Sequence, residues 1–158
     1  MIGKEDKVGG MSVKYNGTFN LDKLYKDAKN WFRNYKYGFT EKEYKEKRQA
    51  HGDEIIIEFI GEKEVDDYAR FSIFVSILIT GVKKLSKDVY IGNFRANLKA
   101  SLNLDYNNEW QYNKLKEFLF FIYNNFIIKS KIGNNYQGKL YDELLSFEET
   151  LKKNLGML

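Results

Sequence analysis

A strict alternation of apolar and polar residues in two stretches constrains the fold of this chain more than any other feature. Between Asn93 and Asp105 every second residue is apolar, the set being Phe94, Ala96, Leu98, Ala100, Leu102 and Leu104. Between Tyr68 and Val82 one frame is again apolar, with Phe71, Ile73, Val75, Ile77 and Ile79. Because successive side chains of a strand point to opposite faces, this period predicts two long strands of one sheet with an apolar face.

The composition limits both size and chemistry. The chain has 158 residues, of which 43% are apolar and 30% charged, and these values are typical of one globular domain. It has no cysteine, which excludes disulfides, zinc ribbons and thiol nucleophiles and fits a reducing compartment. No signal peptide and no apolar run of about 20 residues is evident, so we expect a cytoplasmic protein.

The remaining segments predict one α+β domain. We expect residues 1–10 to be a flexible leader and residues 11–158 to form the domain. Its predicted order is β–α–β–β–β–β–α–α, with the first helix capped by Asn20 and followed by Gly38. The helices should pack on one face of a single curved antiparallel sheet of about five strands. A partly closed barrel and an intertwined dimer are the alternatives.

The predicted helix from Glu109 to about Lys129 carries more aromatic residues than one face can hold. It is either sandwiched between the sheet and the last helix, or it exposes an apolar patch that binds a partner. In the second case the partner interface consists of Trp110, Tyr112, Phe120, Phe121 and Tyr123.

Two groups of basic residues are candidates for binding anions. Arg95 and Lys99 lie on the polar face of a predicted strand, where they either hold an anionic ligand or face solvent. The second group, Lys42, Lys45, Lys47 and Arg48, lies among tyrosines and could bind nucleic acid. Nearby glutamates dilute its charge, and a strand charged on both faces is also typical of a protected sheet edge.

Residues for catalysis or metal binding are not evident. The acidic run from Glu58 to Asp67 matches no calcium loop, and no serine lies in a Gly-x-Ser-x-Gly motif. The only histidine, His51, has no nucleophile near it in the sequence. We therefore predict a protein that is not an enzyme and has no cofactor and no metal site.

Four segments and two single residues carry a resemblance to known proteins: Tyr15–Thr18, Ile55–Phe59, Val65–Tyr68 and Phe126–Ile132, with Trp31 and Tyr44. Together they resemble a family of small uncharacterised archaeal proteins over about residues 11–155. The family has no assigned activity, so the resemblance implies no catalytic residues. In outline alone, a curled sheet around a long C-terminal helix is similar to START-like lipid-binding domains.

Three functions follow as hypotheses. The first is a non-catalytic interaction or scaffolding protein that self-associates or joins a larger assembly through the aromatic surface. The second is a START-like carrier of a small hydrophobic ligand in a cavity between sheet and helix. The third is binding of nucleic acid through residues 35–48.

Overall fold

The computed structural model describes residues 4–104, 115, 118, 119 and 136–158. Within them the fold is α+β, as predicted. The elements are β1 (Lys4–Asn20), α1 (Leu21–Asn34), β2 (Gly38–Lys47), β3 (Asp53–Glu64), β4 (Ala69–Ser86), β5 (Val89–Leu104) and α2 (Gly138–Asn154). The strands form one antiparallel sheet in the order β1-β5-β4-β3-β2, and both helices pack on one of its faces.

The two alternating stretches are the centre of the sheet. β4 and β5 pair along most of their length, from Ala69 opposite Leu104 to Ser86 opposite Val89. Their apolar frames are almost fully buried, and Phe71, Ile73 and Leu102 have no exposed surface. The predicted apolar face of these two strands is therefore confirmed.

The start of β1 corrects one prediction. Residues 4–10 are not a flexible leader, because they pair with β5, with Lys4 opposite Leu104. A register shift between Lys7 and Gly9 interrupts the alternation there. An inserted residue of this kind breaks the period of two, which explains why the segment does not look like a strand in the sequence.

Helix α1 begins as predicted and ends earlier. The Asn20 side chain accepts a hydrogen bond from the backbone N–H of Lys23 at 2.9 Å, which is the expected N-cap. The helix ends at Asn34, and the left-handed residue after it is Lys36, with φ of 65°. Gly38 instead begins β2, so its predicted role at the helix end is wrong.

Aromatic rings fill the space between the helices and the sheet. The Phe32 ring of α1 lies 5.8 Å from the Phe59 ring of β3 and 5.0 Å from the Phe147 ring of α2. The predicted apolar stripe of the last helix is buried, and consists of Leu140, Leu144, Phe147, Leu151 and Leu155. Where these rings meet, the interior is packed rather than hollow.

None of the helices in the described ranges is long and apolar enough to cross a membrane. The predicted helix at residues 109–129 lies almost entirely outside the described residues. Its three described members, Leu115, Phe118 and Leu119, are helical and exposed.

Candidate functional site

The face of the sheet opposite α1 and α2, here called the outer face, is the surface with the most distinctive composition. Neighbouring strands place their alternate residues on it in rows. One row runs through Lys14, Arg95, Leu78, Ile56 and Lys45. Because α1 and α2 both lie on the other side, the second frame of each strand sets the chemistry of this face within the part of the chain that the structure describes.

The middle of the outer face is apolar. On the neighbouring strands β3 and β4, Ile56 lies opposite Leu78, and Ile60 lies opposite Phe74. Leu78 is 36% exposed, and the other three side chains are half-buried. Solvated sheet faces usually present polar residues, so four large apolar side chains at the centre are unusual.

One side of the outer face is basic. Arg95 and Lys99 lie on β5, and Lys14 on β1 is directly opposite Arg95. Both predicted anion-binding residues are exposed, and neither forms a salt bridge with another described residue. They border two shallow depressions of about 560 Å³ and 570 Å³, with Lys14 beside the first and Lys7 beside the second.

The other side is acidic. The outer frame of β3 carries four glutamates, and Glu43 of β2 lies opposite one of them, Glu58. Of the four, Glu62 contacts Arg70 of β4 at 3.5 Å. The outer face thus changes from basic at β1 and β5, through apolar, to acidic at β3.

The predicted nucleic-acid residues do not form a continuous basic patch. Lys45 and Lys47 are on the outer frame of β2, opposite Ile56 and Glu54 of β3. Lys42 lies at a register shift, and Arg48 lies beyond the end of the strand. The strand is an exposed sheet edge, as predicted, and its lysines adjoin the acidic side.

The predicted aromatic interface lies outside the described residues; its members are Trp110, Tyr112, Phe120, Phe121 and Tyr123.

A buried polar cluster between β3 and α2 was missed by sequence reasoning. The Lys63 ammonium group donates to both carboxylate oxygens of Glu143, at 2.7 Å and 3.0 Å. The Tyr37 hydroxyl donates to the same carboxylate at 2.5 Å. Glu143 is 7% exposed. Burial, together with this hydrogen bond, raises the pKa of Tyr37 well above its ordinary value.

The cluster is well suited to holding α2 in place. Lys63 also lies 4.6 Å from the centre of the Tyr37 ring, so its charge is balanced by a carboxylate and an aromatic face. A helical glutamate that faces a strand lysine about 80 residues away leaves no local pattern in the sequence. Only the apolar stripe of α2, on which Glu143 borders Leu144, could have indicated its burial.

The acidic residues at the turn after β3 include one with a clear structural role. The Asp66 carboxylate accepts hydrogen bonds from the backbone N–H groups of Tyr68 and Ala69 and from the Tyr136 hydroxyl. It therefore organises the turn. Within the described part of the chain, no group of three histidine, aspartate or glutamate side chains is arranged to hold a metal ion.

Comparisons with known proteins add little. No family model and no curated protein matches the chain. Among solved structures, it is similar to an uncharacterised protein from Rhizobium leguminosarum, with 12% identity over 94% of this chain and 99% of that chain and a TM-score of 0.22. A similarity this low supports no argument. The resemblances to small archaeal proteins and to START-like domains therefore stay predictions.

Proposed function

We propose that this protein is a non-catalytic interaction module that binds a protein partner through the outer face of its sheet. The observation that supports the proposal is the exposed apolar centre, Ile56, Ile60, Phe74 and Leu78, flanked by charges of opposite sign. Apolar patches with polar rims are typical of protein-binding surfaces. A cytoplasmic location is part of the proposal and is consistent with a chain that lacks cysteine.

The outer face suits a protein better than a small molecule. Its two depressions are shallow and lie on an open sheet, whereas small-molecule sites are usually clefts that enclose most of the ligand. An open charged surface instead favours a partner with a charged surface of its own, because complementary potentials fix the orientation of the two surfaces.

The other two hypotheses have weaker support. A carrier of hydrophobic ligands needs a cavity between sheet and helices, and the rings of Phe32, Phe59 and Phe147 occupy much of that space. Binding of nucleic acid needs a basic stripe, and Lys45 and Lys47 lie beside the glutamates of β3.

Site-specific photo-crosslinking tests the proposal. A photoreactive residue replaces Ser76, at the centre of the outer face, and in a matched variant it replaces Lys153, exposed on α2. In the native cells, position 76 should give a discrete protein adduct that position 153 does not give. Adding Phe74→Glu and Leu78→Glu should abolish that adduct while the melting temperature stays within a few degrees.

Two results would contradict the proposal. One is that both positions give the same adducts, which indicates random collision. The other is that position 76 crosslinks only to nucleic acid, or that its protein adduct survives the two glutamate substitutions.

A further inference from the structure

The charges of the outer face are sorted by strand. β1 and β5 carry four cations and one carboxylate there, whereas β3 and β2 carry five carboxylates and two lysines. The first set is Lys7, Lys14, Arg95, Lys99 and Glu5, and the second is Glu43, Glu54, Glu58, Glu62, Glu64, Lys45 and Lys47. β4 runs between the two sets; it carries Phe74 and Leu78 at its centre and the cations Arg70 and Lys83 towards its ends.

This arrangement is self-complementary in one orientation. A two-fold axis parallel to β4 places β5 of one copy over β3 of the other. Arg95 and Lys99 then lie over Ile56 and Ile60 of the other copy, with Glu58 between those two positions and Glu62 beside the second. A two-fold axis that lies in the plane of the interface and runs across the strands instead places β5 over β5 and β3 over β3. The second orientation brings like charges together, which costs free energy, so the charges select the first.

The geometry points to a second copy of this chain as the partner of the outer face, packed face to face about a two-fold axis parallel to β4. This inference rests on the proposed function, because it names the partner of the same surface. Phe74 and Leu78 lie near the axis and meet their own equivalents. The electrostatic attraction comes from β5 of one copy facing β3 of the other. The contact of β2 with β1 adds less, because Lys45 and Lys47 of β2 face a strand that is itself basic.

The surface is large enough for a dimer. The sheet has five strands, which are spaced about 4.8 Å apart and so span roughly 19 Å. Over the 12 residues of β3, at about 3.3 Å per residue, its length is roughly 40 Å. The product is roughly 760 Å², close to the ~800 Å² that each partner buries in a standard interface.

Charge reversal tests both the partner and the orientation. Variant P carries Glu58→Lys and Glu62→Lys, so its outer face is basic on both sides. Variant N carries Arg95→Glu and Lys99→Glu, so its face is acidic on both sides. Each should raise the Kd of the dimer by about tenfold or more, which is about 1.4 kcal/mol, because reversed contacts occur twice in a symmetric dimer.

Combining the four substitutions swaps the two charges and should restore the dimer, since β5 is then acidic and β3 basic. A mixture of P and N should form a heterodimer. Lys139→Glu with Lys153→Glu, on the exposed side of α2, changes the net charge as N does and should leave the Kd unchanged. Sedimentation velocity over a concentration series measures all of these.

Each outcome decides between the two proposals. A wild type that is monomeric at every concentration overturns the inference, and the protein-binding proposal still stands if position 76 gives a specific adduct with another protein. A dimer whose Kd is the same in P, N and the wild type also overturns the inference, because the outer face is then not the contact. Loss of the dimer in P and N without recovery in the four-fold variant overturns the orientation.

Discussion

Removing one partner of the buried pair Lys63 and Glu143 should lower the free energy of unfolding strongly. Replacing both partners together should lower it only a little. In Lys63→Met the Glu143 carboxylate, 7% exposed, loses both hydrogen bonds from the ammonium group, at 2.7 Å and 3.0 Å. Among the described residues, the hydrogen bond from the Tyr37 hydroxyl then remains. An uncompensated buried charge of this kind lowers the free energy of unfolding by about 3–5 kcal/mol.

The double variant Lys63→Met with Glu143→Leu removes the stranded charge and should recover most of this loss. What remains is the Tyr37 hydroxyl without its acceptor, which costs about 1–3 kcal/mol. Adding Tyr37→Phe should remove that remainder as well. The free energy of unfolding is measured by urea denaturation with linear extrapolation.

A matched control distinguishes burial from charge. Lys153 pairs with Glu149 at 3.8 Å on the surface of α2, with side chains 66% and 58% exposed. Lys153→Met should therefore cost less than about 1 kcal/mol. If Lys63→Met costs no more than this control, or if the double variant is less stable than Lys63→Met, then the cluster is not a buried, coupled unit and the reasoning is refuted.

Three further changes test the packing and the ionisation of the core. Gly61→Ala directs a Cβ into the Phe32 ring and should cost about 1–3 kcal/mol in urea denaturation, with partial rescue by Phe32→Leu; an unchanged midpoint would contradict the packing. Asn20→Ala should lower the free energy of unfolding by about 1 kcal/mol through loss of the α1 cap. The control Asn16→Ala, on the exposed frame of β1, should not show this loss. The raised pKa of Tyr37 means that above pH ~10 the unfolded chain loses a proton that the native state keeps. The free energy of unfolding should therefore fall as the pH rises above ~10. Tyr37→Phe should make that fall less steep by about 1.4 kcal/mol per pH unit.

The sheet could be predicted because its information is local. Alternation in β4 and β5 depends only on which residues follow one another, and one apolar frame determines which face the helices cover. The same is true of the stripe of α2 and of the cap at Asn20. The ends of strands were predicted less well, since Gly9, Gly81 and Gly92 resemble turn residues although each lies within a strand.

The candidate site was only partly predictable. Arg95 and Lys99 were identified as exposed cations on the polar frame, and the structure adds what faces them across the sheet. The separation of charges depends on strand order, which places β5 and β3 on opposite sides of β4. Neither that order nor the pairing of Glu143 with Lys63 follows from spacing along the chain, because both join residues that are distant in sequence.

Distances between spin labels test the central claim most directly. The chain has no cysteine, so Ser76→Cys or Ser12→Cys gives a single labelled site; the two positions lie in one row of the outer face, on β4 and β1. With an axis along β4, labels at 76 should lie about 10 Å apart, the spacing of packed sheets, and labels at 12 roughly 22 Å apart. Dipolar EPR that gives this order supports the account, whereas no coupling at any concentration, or a shorter distance at 12 than at 76, would contradict it.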